Sequence, residues 1–196
     1  MLKKADDSSF ARSHEDLPEL LSLIKERSFK TGDFTLASGR KSNLYFDMKP
    51  TIMSARGNLL SAQVFLNRAR ELRAEYIGGL EMGAVPIIST VAGLSAQNGA
   101  PIGAFFVRKK PKEHGTMLKV EGLGPRESLE GRRVAMADDV TTSGGSVWQA
   151  IEVALTAGAI VRDVICLVDR EEGAAEFLAS KGISLRPIFS AKDFVD

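Results

Sequence analysis

The sequence predicts an α/β fold whose mainly parallel central sheet is flanked by helices. Two observations predict it. From residue 76 onward, short apolar runs alternate with segments of helical period. The runs are nearly continuous in hydrophobicity, as strands covered on both faces are, rather than alternating apolar and polar. With 196 residues and 44% hydrophobic content, the chain suits a single domain spanning 1–196.

Residues 1 to 15 are polar and mixed in charge, which predicts a frayed terminus. Leu17, Leu20, Leu21 and Ile24 follow the i, i+3, i+4, i+7 pattern of an amphipathic helix, with Asp16 as its N-cap. A second helix is expected over Asn58–Arg73, with Ala62, Phe65, Leu66, Ala69 and Leu72 on one face. Strands are expected at Tyr76–Leu80, Ile102–Val107, Val134–Ala137, Val161–Val168 and Ile183–Phe189. Helices between them are expected at Ala84–Gln97, Ser146–Thr156 and Gly173–Ala179. In such sheets ligands bind beyond the carboxyl ends of the strands, so the residues just after each strand are the place to look for function.

The net charge of +1 argues against a general nucleic-acid or membrane binder. Cys166, the single cysteine, sits in the apolar run Val164–Val168 and reads as a small core residue. One cysteine permits neither an intramolecular disulfide nor a cysteine-rich zinc site. The first residues lack the apolar segment of a signal peptide, and the expectation is a cytoplasmic protein.

The most informative stretch is Val134-Ala135-Met136-Ala137-Asp138-Asp139-Val140-Thr141-Thr142-Ser143-Gly144-Gly145-Ser146. An apolar strand runs into two carboxylates, then a loop of hydroxyl residues and glycines, then a helix. Glycines let backbone N–H groups turn toward an anion, hydroxyls add donors, and the helix start adds unpaired N–H groups. That combination makes a phosphate cradle. The carboxylates do not favour phosphate directly, and their partners would be sugar hydroxyls or a magnesium ion. A phosphorylated ribose satisfies both halves, whereas the bland alternative is a capped helix with two solvated aspartates.

After the strand ending at Val107 comes Arg108-Lys109-Lys110-Pro111-Lys112-Glu113-His114-Gly115. On charge alone this is a solvated surface loop. Its length, and its exit on the same sheet edge as the acidic pair, suit a lid whose charge complements pyrophosphate. Phe34-Thr35-Leu36-Ala37-Ser38-Gly39-Arg40-Lys41-Ser42-Asn43-Leu44-Tyr45-Phe46-Asp47 reads as two short extended segments joined by a turn. Gly78 to Ala84 suits a tight turn from strand to helix, which either admits a pyrophosphate or allows close packing.

Together these segments resemble the orotate branch of the type I phosphoribosyltransferases. Asp138 to Ser146 is similar to their ribose-phosphate signature. Arg-Lys-x-x-Lys-x-His-Gly matches their flexible catalytic loop, Phe34 to Ser42 their F-T-L-x-S-G-x-x-S element, and Asp169-Arg170 their D-R element. The resemblance implies the type I phosphoribosyltransferase fold, with residues 16–75 and the C-terminal strand contributing a small hood over a core at 76–170. It implies transfer of a phosphoribosyl group from phosphoribosyl pyrophosphate (PRPP) to orotate, with magnesium carried mainly by PRPP and reached by Asp138 and Asp139 through water. Arg108, Lys109, Lys112 and His114 would contact pyrophosphate, and Asp138 and Asp139 would hold ribose hydroxyls. Val140, Thr141, Thr142, Ser143, Gly144, Gly145 and Ser146 would complete the PRPP site, and Tyr45, Phe46, Thr142 and Arg170 the orotate pocket. A homodimer sharing the basic loop is implied as well. Ala37 and Asn43 depart from the lysine and proline that some members carry. Rival readings are a transferase of the same fold acting on a purine or uracil, and a silent relative that regulates nucleic acid.

Overall fold

A computed structural model describes residues 13–35, 41–109 and 120–195. Helix α1 (Ser13–Arg27) begins one turn before Asp16, so Asp16 lies inside the helix instead of capping it. Its periodic residues nonetheless face inward: Leu20 and Ile24 are fully buried. Strands β1 (Phe29–Thr35) and β2 (Lys41–Phe46) pair antiparallel, with Phe29 opposite Phe46 and Lys30 opposite Tyr45.

A short helix α2 (Lys49–Ile52) leads into α3 (Ala55–Glu71). The latter starts three residues before the expected Asn58, because the Ser54 hydroxyl accepts a hydrogen bond from the Gly57 N–H and caps the helix there. It stops short of Arg73, whose φ of 54° is left-handed and cannot continue a helix. Asn58 ties α3 to its neighbours, donating to the carbonyls of Ile52 and Pro86 and accepting from Thr90 at 2.6 Å.

The remaining elements are β3 (Tyr76–Leu80), α4 (Val85–Gln97), β4 (Gly103–Val107), β5 (Val120–Glu121), β6 (Arg133–Thr141), α5 (Gly145–Thr156), β7 (Ile160–Asp169), α6 (Ala174–Ala179) and β8 (Ser184–Ser190). Among the described residues the main sheet has the order β5-β4-β3-β6-β7-β8 and is parallel except for β5. The C-terminal strand, expected to join the hood, is a member of this main sheet beside β7. The turn after it reaches the hairpin, where Phe194 packs against Phe29 and Phe46.

Strand alternation divides the core. Ala135 and Ala137 face α1, α3 and α4 with Leu60, Phe65 and Ile87, while Val134 and Met136 face α5 with Val147 and Ile151. Two features of this sheet position the site. The chain leaves β3 for the edge at β4 and returns to the other side of β3 at β6, so a topological switch point lies between β3 and β6. In addition, β6 and β7 run longer than the sequence predicts, and β6 pairs with β3 only as far as Ala137. Asp138 to Thr141 therefore project past β3 beside an open crevice.

Candidate active site

The crevice floor is the end of β6. Asp138 and Asp139 are half-buried there, and the Asp139 N–H donates to Asp138 Oδ1 at 3.1 Å. Burial pushes the Asp138 carboxyl well above the usual carboxylate range, and the adjacent Asp139 charge pushes it further. Burial raises Asp139 too, against the lowering effect of the Val140 N–H and the Lys49 charge. Among the described residues neither carboxylate has a side-chain hydrogen bond from a cation or hydroxyl, which suits a ligand that brings such partners.

Across the switch point stands the turn Glu81-Met82-Gly83, following β3. A Cβ at Gly83 would lie 2.3 Å from Asp139 Oδ1, so only glycine leaves that carboxylate its place. Gly79 has a different reason, since a Cβ there would meet Ala84 and the Ala137 carbonyl. Close packing thus explains Gly79, and room for Asp139 explains Gly83. Replacing Gly83 with alanine should displace Asp139 and lower turnover roughly a hundredfold, with little change in circular dichroism. Steady-state kinetics of the variant check this, and a loss under threefold would contradict it.

The cradle follows directly. Gly144 takes φ 80° as the N-cap of α5, a conformation that disfavours a side chain, and so turns the chain from β6 into the helix. Ser143, Gly145 and Ser146 are exposed and Thr142 half-buried, which leaves the α5 N-terminus open to an anion. Thr141 differs: it is 1% exposed, and its hydroxyl lies beside the Cys166 thiol. It offers the site its backbone rather than its side chain. Cys166 is fully buried and burial pushes its thiol upward, so it is an inert core residue.

Arg108 and Lys109 leave β4 at the same edge. The Lys109 N–H donates to Glu81 Oε1 at 2.8 Å, joining the basic segment to the turn that borders Asp139. Arg108 lies 3.8 Å from Glu121. Lys112 and His114 lie outside the described residues, as do Ala37 to Arg40.

The hairpin β1–β2 overhangs the end of β7. Tyr45 and Phe46, adjacent on β2, point to opposite faces. Tyr45 is 39% exposed and stacks on Phe34, whereas Phe46 turns inward to Phe29, Phe194 and the Arg170 guanidinium, 5.9 Å from its ring centre. The Arg170 N–H donates to the Thr141 carbonyl at 2.9 Å, so Arg170 and Thr142 leave neighbouring strands together. The structure thus gathers Asp138, Asp139, the cradle, Phe46 and Arg170 along one sheet edge.

Sequence reasoning missed one cation there. Lys49, the first residue of α2, lies 2.5 Å from Asp47 Oδ1, and its ammonium is raised by Asp47 first, with Asp139 and Tyr45 also in electrostatic range. The spacing Asp47-x-Lys49 after the aromatic pair was the only available signal. Among the described residues no cluster of three or more His, Cys, Asp or Glu side chains could hold a metal by itself. Magnesium fits the acidic pair nonetheless, since it retains several waters and takes one or two carboxylates together with phosphate oxygens.

No protein-family model matches the chain. It is 51% identical over 176 residues to an orotate phosphoribosyltransferase of Bradyrhizobium sp. (strain ORS 278), covering 90% of this chain and 95% of that relative. It is similar to the crystal structure of Mycobacterium tuberculosis H37Rv orotate phosphoribosyltransferase in complex with Fe(III) dicitrate. The TM-score is 0.78 at 30% identity, with 92% of this chain and 99% of that chain covered. The same mycobacterial enzyme in complex with PRPP gives a TM-score of 0.75 at 28% identity, over 91% of this chain and 98% of that one. With a likeness that spans nine-tenths of the sequence, the chain belongs to the orotate phosphoribosyltransferase family.

Proposed function

We propose that the chain transfers the phosphoribosyl group of PRPP to orotate, giving orotidine monophosphate and pyrophosphate in pyrimidine biosynthesis. One observation carries this reading: the acidic pair, the open cradle and Arg170 share the sheet edge at a topological switch point. The mycobacterial relative solved with PRPP supports it.

In this reading the backbone from Thr141 to Ser146 and the hydroxyls of Thr142, Ser143 and Ser146 hold the terminal phosphate, and Asp138 and Asp139 hold the ribose hydroxyls. Arg170 and Phe46 hold orotate, the guanidinium meeting the planar carboxylate and the ring supplying a flat apolar wall. As the bond to pyrophosphate lengthens, the anomeric carbon takes on cationic character, and fixed positioning of base and ribose favours in-line attack. Arg108, Lys109, Lys112 and His114 stabilise the departing negative charge. Asp138 and Asp139 would help to hold a magnesium ion brought in with PRPP, and such an ion would supply further charge neutralisation at the pyrophosphate.

The acidic pair would reach that ion through water. The whole chain forms one phosphoribosyltransferase domain, with residues 16–75 as the hood and 76–170 as the PRPP core. It works as a homodimer whose basic loop serves the partner's site. The enzyme acts on small molecules in the cytoplasm; among the described residues no helix is long and apolar enough to cross a membrane.

The test is pyrophosphate release from PRPP with orotate, uracil, adenine and hypoxanthine offered separately. Release with orotate alone supports the reading. Release with another base and not with orotate would transfer the chain to the purine or uracil branch. Mixing Lys112→Ala with Asp138→Asn subunits should restore activity if the loop is shared across a dimer.

A further inference from the structure

The deepest-placed cation at this edge is Arg170, whose side chain is only 7% exposed. A guanidinium so placed is costly to bury unless its N–H groups are matched. Two matches come from opposite sides. Nη2 donates to Ser42 Oγ on the hairpin at 2.9 Å and lies 2.7 Å from Glu172 Oε1, in the turn after β7. Those contacts engage both hydrogens of Nη2, and among the described residues the Nε and Nη1 hydrogens are left to make single hydrogen bonds to a ligand's oxygens.

The local backbone is built to hold this arrangement. The Asp169 carboxylate accepts the Glu171 N–H at 3.0 Å, and Glu171 adopts φ 56°, uncommon for a side chain of its size. That left-handed residue folds the chain back so that Glu172 lies alongside Arg170. Glu171 is itself held by Lys192 at 2.6 Å. On the hairpin side, Ser42 Oγ accepts from the Leu44 N–H at 3.2 Å and donates to the Leu44 carbonyl at 2.9 Å. The hydroxyl is therefore fixed before it meets Arg170. Phe46, on the same face of β2 as Ser42, closes over the guanidinium plane.

We propose that Glu172 and Ser42 are positioning residues that clamp Arg170 by Nη2 and so turn its remaining N–H groups toward the orotate carboxylate. This rests on the reading of Arg170 as the orotate-binding cation. The clamp bears on specificity, because it fixes which N–H groups Arg170 offers and so favours a base that sets an acceptor oxygen, such as one of a carboxylate, opposite them. It also gives a physical reason for the last serine of the Phe34 to Ser42 element. That serine lies 128 residues from the arginine it fixes.

The experiment is steady-state kinetics of the full-length chain and of Glu172→Ala, Glu172→Gln and Ser42→Ala, varying orotate and PRPP separately. The unaltered chain is measured first, and absence of orotate turnover there would remove the functional reading and the clamp together. If it is active, Glu172→Ala should raise the KM for orotate roughly ten- to thirtyfold, with the KM for PRPP within about twofold. Glu172→Gln keeps an acceptor for Nη2 and should return the orotate KM to within about threefold of the unaltered value. Ser42→Ala should raise the orotate KM selectively, and it carries the test alone if the alanine variant at 172 does not fold.

Three results would each overturn the clamp while leaving the orotate reading intact. One is a fall in orotate KM on Glu172→Ala, meaning that Glu172 competes with the substrate for Arg170. Another is an equal change in both KM values. The third is no change in any variant.

Discussion

Replacing Asp138 with asparagine should abolish most activity while making the protein more stable. Turnover should fall roughly a hundred- to thousandfold, because the ribose and its magnesium would lose one of two fixed carboxylates. The stability effect follows from the direction of its shift. Burial and the Asp139 charge raise the Asp138 carboxyl in the folded state, so the folded chain holds that proton more tightly than the unfolded chain does. Stability due to this group is present at acid pH and falls as pH rises from the unfolded value, about 3.9, through the raised folded value. Above that window the buried site opposes the charged carboxylate. Asparagine cannot carry that charge and should raise Tm by roughly 2–4 °C. The gain should vanish in scans near pH 4, where the native carboxyl is also protonated. Calorimetry at both pH values, together with an activity assay, checks the pair of effects. A lower Tm at neutral pH with turnover intact would contradict the account.

The second large effect belongs to the basic segment after β4. Alanine at Lys112 or at Arg108 should lower turnover with orotate roughly a hundred- to thousandfold, since each would remove a charge placed against the departing pyrophosphate. Arg108 lies at the end of β4, and its neighbour Lys109 is bound through its backbone to Glu81, beside the turn that makes room for Asp139. Rapid-mix single-turnover measurements at saturating PRPP isolate this chemical step. A loss below threefold at both positions would return the segment to the status of a solvated charge run.

What could be read from the sequence, and what could not, divides along a physical line. The β6 run and its glycine–hydroxyl loop were legible because strand, acidic pair, cradle and helix start are contiguous. The parallel sheet was legible from its apolar runs. Misplaced boundaries trace to local chemistry: Ser54 caps α3 before its first apolar stripe, and α1 starts a turn ahead of Asp16. The membership of β8 depends on which strand it pairs with, which periodicity does not encode. Glu172 and Lys49 escaped notice for a similar reason. Each is an ordinary charged residue in sequence, and acquires meaning only where folding brings it beside Arg170 or the acidic pair. Tyr45 and Phe46 were grouped because they are adjacent, yet adjacency on a strand sends them to opposite faces.

The most direct measurement is the loss of orotate absorbance when purified protein is mixed with PRPP and magnesium. The expected result is steady consumption that needs all three components and stops on addition of a chelator. An unchanged orotate signal from folded protein, with PRPP consumed against adenine or hypoxanthine instead, would contradict it.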